Sequence, residues 1–149
     1  MDFRMDAELS DAPAKVWPVM IDIGRIAGCI PGLEKIEEHE KLKRYSAVMK
    51  QKIGPFKLEV PAEITVAGYM EPDFVRARAF GKDKFTGTTM DVVLNVRLSP
   101  HGNGSRLEVE ATLQVAGRLA SLGYSVIKKK AEENFAEFEN RFRGQLELI

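Results

Sequence analysis

The sequence has little of what most protein chemistry depends on. Its 149 residues include two His, one Cys and one Trp. A single cysteine, Cys29, excludes an intrachain disulfide and suits a reducing compartment. His39 sits in a charged run and His101 in a glycine-rich loop. Neither has a second His, Cys or paired carboxylate at ligand spacing, so no metal site is expected. Neither sign of charge dominates: 22 Lys+Arg face 22 Asp+Glu, for a formal net charge of zero. A chain with no excess of cations is not a sequence-independent nucleic-acid binder. No stretch approaches the roughly 18 apolar residues of a membrane-spanning helix. The opening MDFRMDAELSD lacks the apolar core of a secretory signal. Linker-like Pro/Gly/Ser tracts, repeats and low-complexity segments are also missing. What is left is one globular domain over 1–149, expected in the cytoplasm. At this size about 68–70% of the unfolded surface can be buried, so no disulfide or metal staple is needed.

What is present is a change of period along the chain. Phe3, Met5, Ala7 and Leu9 alternate with Arg4, Asp6 and Glu8 as a half-buried strand. Ser10 or Asp11 then offers a cap for a helix with Pro13 in its first turn. Pro18 should keep that helix short or kinked. A second helical turn is expected at Ile26 to Ile30, closed by Pro31-Gly32. From Leu33 to Gly117 the period is two, which predicts six strands. The clearest runs are Phe56 to Val66, Met90 to Leu98 and Leu107 to Val115, separated by turn signals such as Gly54-Pro55 and Pro100 to Gly104. Clean alternation means an antiparallel sheet with one covered and one solvated face. The cover comes last. Ala120, Tyr124, Ile127, Ala131, Phe135, Phe138, Phe142, Leu146 and Ile149 recur at steps of three and four, the stripe of a helix of about 30 residues.

Several short motifs, in this order, are those of a known family. Pro13-Ala14-Lys15-Val16-Trp17, then Asp22, then Cys29-Ile30-Pro31-Gly32 follow the first strand. Lys52-Ile53-Gly54-Pro55 and Gly117-Arg118-Leu119-Ala120-Ser121-Leu122-Gly123 come later. Together they resemble the CoxG subunit of carbon monoxide dehydrogenase, within the START-like, SRPBCC superfamily, over about residues 3–147. The resemblance implies an α+β helix-grip fold: a seven-stranded antiparallel sheet wrapped around a long C-terminal helix, with two short helices after the first strand. It implies a hydrophobic cavity for a quinone- or lipid-like molecule. It also implies a non-catalytic role beside a redox enzyme, a molybdenum hydroxylase such as CO dehydrogenase, in maturation, membrane attachment or quinone delivery. Transient contact with the inner membrane face belongs to the same expectation. Many members continue into an apolar anchoring tail; this sequence stops at Ile149, so tethering by such a tail is not expected.

The residues agree with a container. Ala47, Ala62, Gly68, Ala77, Ala79 and Ala111 thin the inner sheet surface, and Met49 and Met90 add adaptable walls. Ile30, Leu58, Leu94 and Leu113 complete the expected sheet side of a ligand-binding cavity. Leu119, Leu122, Val126, Ile127 and Phe135 are its expected helix side. Leu119, Leu122 and Val126 form a second apolar patch, which either packs on the two small helices or lines the cavity mouth as a lid between Gly117 and Gly123. No cofactor and no catalytic residue is expected. Only Gln51 and Tyr45 put polar atoms on the inner face; Arg76 and Arg78 should point outward and Cys29 should be a buried thiol. Gly81 to Gly87 lacks the ending of a phosphate loop. Lys128-Lys129-Lys130 reads as a solvated helix face paired with Glu132 and Glu133 rather than a lipid site. The competing function is a polyketide cyclase- or aromatase-like enzyme, which would need ionisable groups converging in the same cavity. A weaker one is an assembly factor that binds a protein through Leu119 to Val126.

Overall fold

The computed structural model describes residues 1–148. Seven strands form one sheet: β1 (Asp2–Leu9), β2 (Leu33–Glu40), β3 (Arg44–Ile53), β4 (Phe56–Met70), β5 (Phe74–Lys82), β6 (Thr89–His101) and β7 (Gly104–Ala116). Their spatial order is β1-β7-β6-β5-β4-β3-β2, and every neighbouring pair is antiparallel. β2 to β7 is thus a meander, and β1 joins it at the far edge by pairing with β7. The alternation seen in the sequence decides the faces. Charged ladders such as Arg4–Glu110 and Arg106–Asp6, each 2.7 Å, lie on the solvated side.

Between β1 and β2 lie α1 (Pro13–Met20) and α2 (Ile23–Ala27). Pro13 occupies the first turn of α1, as its missing N–H allows, and Pro18 limits the helix to eight residues. Neither Ser10 nor Asp11 caps it. The N-cap is Ala12, with no side-chain bond, while Asp11 pairs with Lys15 at 3.2 Å. α2 begins three residues earlier than the expected Ile26, because the Asp22 side chain accepts from the Arg25 N–H at 3.4 Å and starts the helix there. Residues 28–32 are then turns rather than helix.

The C-terminal helix also differs from the expectation of about 30 residues. α3 spans Tyr124–Glu147, 24 residues, and a separate 3-10 helix at Arg118–Leu122 precedes it. Gly123, at φ 82°, separates the two. A residue with a side chain is strained there, so the chain changes direction instead of continuing. Ile149 of the predicted stripe lies outside the described residues.

The largest buried cluster is where α1 meets the sheet and the end of α3. Leu9, Val16, Trp17, Val19, Met20, Val75, Leu98, Leu107, Phe142 and Leu146 pack there. Val16 is fully buried, and Val19 and Phe142 are each 1% exposed. Two smaller clusters lie toward the other end. One is Phe3, Ala111, Leu113 and Ile127; the other is Ile53, Leu58, Val60 and Leu119.

Candidate functional site

Between those clusters the inner face of the sheet is incompletely covered. Cross-strand register places Tyr45, Ile64, Ala79, Val92 and Leu113 in one row across it. The next rows are Ala47, Ala62, Gly81, Met90 and Val115, and Val66, Ala77, Leu94 and Ala111. In the middle of these rows Ala62, Ile64, Val66, Ala77, Ala79, Met90, Val92 and Leu94 are only half-buried, although they face the helix. Toward the turns on either side, Leu58, Val60, Val75 and Leu98 are 3–6% exposed. The alanines explain the difference. A methyl reaches less far toward the helix than the Phe, Leu and Met side chains elsewhere, so the middle of the face is left as a half-buried strip, the groove of this candidate site.

α3 is anchored at its two ends. At its C-terminal end Arg25 of α2 donates through Nε to Gln145 Oε1 at 2.6 Å and through Nη2 to the Gln145 carbonyl at 3.2 Å. Arg143 donates to the Glu8 carbonyl at 2.6 Å. At its start Tyr124 stacks on Phe3 of β1, with centroids 5.7 Å apart and ring planes within 6°. Over the middle, Phe135 and Phe138 stack on one another at 6.2 Å and remain half-buried.

The polar groups of the groove are few. Gln51 of β3 donates through Nε2 to the Pro31 carbonyl at 2.6 Å, and its Oε1 accepts from Asn134 Nδ2 of α3 at 3.4 Å. This amide pair joins the helix to the turn after α2 across the β3 side of the groove. The same turn needs Gly32: at φ +81°, a Cβ there would lie 2.1 Å from the Lys50 carbonyl oxygen. Tyr45, 2% exposed, has its hydroxyl taken up by the Leu42 N–H at 2.9 Å and by Glu38. Burial holds its pKa above the usual value. The inward positions of β3 to β7 in these rows carry no Asp, Glu, His, Lys or Arg. The convergent titratable groups of an enzyme are therefore not found on this wall.

Most of the predicted cavity residues are brought together, but not all. Leu58 and Leu119 share a cluster with Met49, Met90 and Leu122; Ala111, Leu113 and Ile127 share another with Met90 and Leu94. Ala79 lies in the half-buried central row, with Phe135 half-buried on the helix and Ile30 half-buried in the turn after α2. Val126 is the exception at 41% exposed. One residue along a helix is a turn of about 100°, which carries it off the face that buries Ile127. The second apolar patch is accordingly split. Leu119 and Leu122 pack under the β3–β4 turn, not on α1 or α2. Asn134 is a site residue that the apolar pattern does not pick out. It falls between Ala131 and Phe138 at helical spacing, so a polar residue within the apolar stripe is its one signal.

The remaining polar groups have structural roles. Cys29 is 2% exposed, and burial pushes its thiol pKa up despite Arg141 and Arg25 nearby. His39 bonds Ser46 at 2.7 Å and His101 faces Glu8 at 3.3 Å, both at the surface. Among the described residues no group of His, Cys, Asp or Glu has metal-binding geometry. Arg76 and Arg78 point outward, and Arg78 Nε donates to Asp91 Oδ1 at 2.9 Å. That ion pair holds the Asp91 pKa down and the Arg78 pKa up. A depression of about 340 Å³ lies beside it, lined by Glu63, Thr65, Arg78 and Phe80. It is on the solvated face, away from the groove. The Gly81–Gly87 loop is built around Asp83 rather than around a phosphate. Asp83 accepts from the backbone N–H of Glu59, Thr86 and Phe85 and from the Thr86 hydroxyl, at 2.6–3.1 Å.

The arrangement is a seven-stranded sheet packed against a long helix, with half-buried apolar residues on the inner face of the sheet. A model of the CoxG subunit of carbon monoxide dehydrogenase matches residues 6–147. The chain belongs to this family. No curated protein sequence matches it. Among solved structures, a conserved protein from Geobacillus kaustophilus is similar at TM-score 0.84 and 19% identity, covering 98% of this chain and 95% of that one. The AHSA1 protein from Silicibacter pomeroyi is similar at 0.70 and 15%, covering 99% of each. Ara h 8.0201 is similar at 0.69 and 15%, covering 100% and 99%. These likenesses establish the helix-grip fold for this CoxG family chain. No helix among the described residues is long and apolar enough to cross a membrane.

Proposed function

We propose that this CoxG family protein binds and carries an apolar small molecule, quinone- or lipid-like, in the groove between α3 and the sheet. It acts in the cytoplasm as a non-catalytic accessory to a redox enzyme, a molybdenum hydroxylase such as CO dehydrogenase. The observation that carries this reading is the half-buried apolar wall of Ala62, Ile64, Ala77, Ala79 and Leu94 on the inner face of the sheet, with Phe135 and Phe138 half-buried on α3. Apolar surface left half-covered in a core is stabilised by a ligand that completes the burial, by about 0.8 kcal/mol per methylene. The wall has the amide pair for orientation and no charged anchor, so selection is by shape and hydrophobicity.

Purified protein should bind a prenylated quinone or a long-chain acyl probe and release it on solvent extraction. Native mass spectrometry before and after extraction measures this. A protein that is empty as purified and takes up neither probe contradicts the proposal. An Ala79→Phe variant, which fills the wall, should fold and lose the binding.

A further inference from the structure

The sheet has two edges, and they are built differently. At one edge β2 is interrupted. Its pairing with β3 shifts register between Glu34 and Glu37 and again between Glu38 and Glu40, and Lys35 lies at φ 52°. Bulges and clustered charges blunt a free strand against pairing with another chain. β1, at the other edge, has no such interruption. All eight of its residues stay in continuous register with β7, and it contains no Pro and no Lys.

Hydrogen bonding fixes which groups of β1 are free. The Met1 amino group donates to the Leu113 carbonyl and the Leu113 N–H to the Met1 carbonyl, each at 2.8 Å. The odd-numbered residues of β1 therefore bond β7, and the even-numbered ones turn their N–H and C=O to the open edge. The two ends of that edge are capped from α3. The Tyr124 hydroxyl donates to the Asp2 carbonyl at 3.4 Å, and Arg143 Nη2 donates to the Glu8 carbonyl at 2.6 Å. In the middle, the backbone groups of Arg4 and Asp6 have no partner among the described residues.

We infer that β1 pairs antiparallel with β1 of a second copy of this chain, about a two-fold axis at Met5. This register sets Arg4 opposite Asp6 of the second copy, and Asp6 opposite its Arg4. The free backbone groups are then matched, and both side-chain pairs carry opposite charge. Arg4 already bonds Glu110 and Asp6 already bonds Arg106, each at 2.7 Å. Across the junction these join into a row of alternating sign: Glu110, Arg4, Asp6, Arg106. On the inner face the half-buried Met5 meets its own copy at the axis. Moving the axis to Arg4 would oppose Arg4 to itself. Moving it to Asp6 would oppose Asp6 to itself and need the Glu8 carbonyl that Arg143 occupies. Asp2 and Glu8, alike in charge, fall opposite one another outside the central pair, where the caps from α3 end the ladder. A second copy is the occupant, rather than an unrelated strand, because the charge pattern of β1 complements itself. The two copies share one continuous sheet with both grooves on the same side. The pairing uses none of the wall residues of the groove, so it stands apart from the carrier reading.

The test is sedimentation velocity of the full chain over a concentration series, which should show a monomer–dimer equilibrium. Arg4→Glu alone and Asp6→Lys alone should each lose the dimer, since each sets like charges opposite one another at both pairs. Mixed in equal amounts, the two variants should recover it, because every pair is then of opposite sign. Both variants should still bind the groove probe. Hydrogen exchange of the parent reads the backbone without any substitution, and decides the matter if a variant does not fold. The Arg4 and Asp6 amides should exchange freely in dilute protein and become protected as the dimer forms. A monomer at every concentration, a dimer that either variant retains, folded variants whose mixture stays monomeric, or unprotected Arg4 and Asp6 amides in the dimer would each overturn the inference.

Discussion

Two regions under the same helix are built on opposite principles. Where α1 and α2 fill the angle between the sheet and the end of α3, Trp17, Val19, Leu107, Phe142 and Leu146 form a close-packed core. Under the middle of α3 the sheet offers alanine, and the wall stays half-buried. The first region supplies stability and fixes the height of the helix. The second leaves much of its apolar surface half-buried on folding, and under the proposed function that surface is what a ligand covers.

The largest effects should come from attacking the first region. Phe142→Ala is expected to cost about 3–5 kcal/mol by denaturant unfolding, since it empties a position that is 1% exposed. Phe135→Ala, half-buried over the groove, should cost about 1–2 kcal/mol but remove most of the ligand affinity. If the two lose equal stability, the contrast between the regions is false. Adding volume should reverse the pattern. Ala7→Leu, at a position 5% exposed on β1, should cost about 1–3 kcal/mol through overpacking. Ala79→Leu should stay within about 1 kcal/mol of the parent while competing with the ligand.

The end of the molecule around the β5–β6 loop is held by hydrogen bonds rather than by large side chains, so its signature is pH. Burial alone would raise the Asp83 pKa, but the Thr86 backbone and hydroxyl, with the Glu59 and Phe85 N–H groups, hold it below the usual carboxylate value. A depressed folded-state pKa adds stability above the unfolded value, about 3.9. That stability is lost as pH falls through the lower folded value. Asp83→Asn should therefore be less stable at neutral pH, by about 1–2 kcal/mol, and show a flatter stability profile under acid. Parallel acid profiles for parent and variant would refute this. The smallest effect is expected from Asn134→Leu. It should change stability by about 1 kcal/mol or less yet shift the preference from a carbonyl-bearing probe toward a plain hydrocarbon one.

The sheet is legible in the sequence because alternation is a local property: each inward residue of β3 to β7 can be assigned before its partner is known. The helix stripe is legible for the same reason, but its length is not. Gly123 stops α3 through a backbone angle that the apolar spacing on either side does not register. Start signals fail similarly at α1, where Asp11 turns to Lys15 instead of capping. The thin wall of alanines is readable as composition. That it is half-buried under Phe135 and Phe138 depends on the height of α3, which Arg25, Arg143 and Phe3 set from distant parts of the chain. Asn134 is hidden because its meaning lies in Gln51, 83 residues away.

The most direct test is a methyl-resolved NMR titration with a prenylated quinone or long-chain acyl probe. Binding should shift Ala62, Ala77, Ala79, Met49 and Met90, and leave Val16 and Val19 in the packed core unmoved. Shifts confined to Thr65 and its neighbours on the solvated face, or no shifts at saturating probe, would contradict a ligand site between the helix and the sheet.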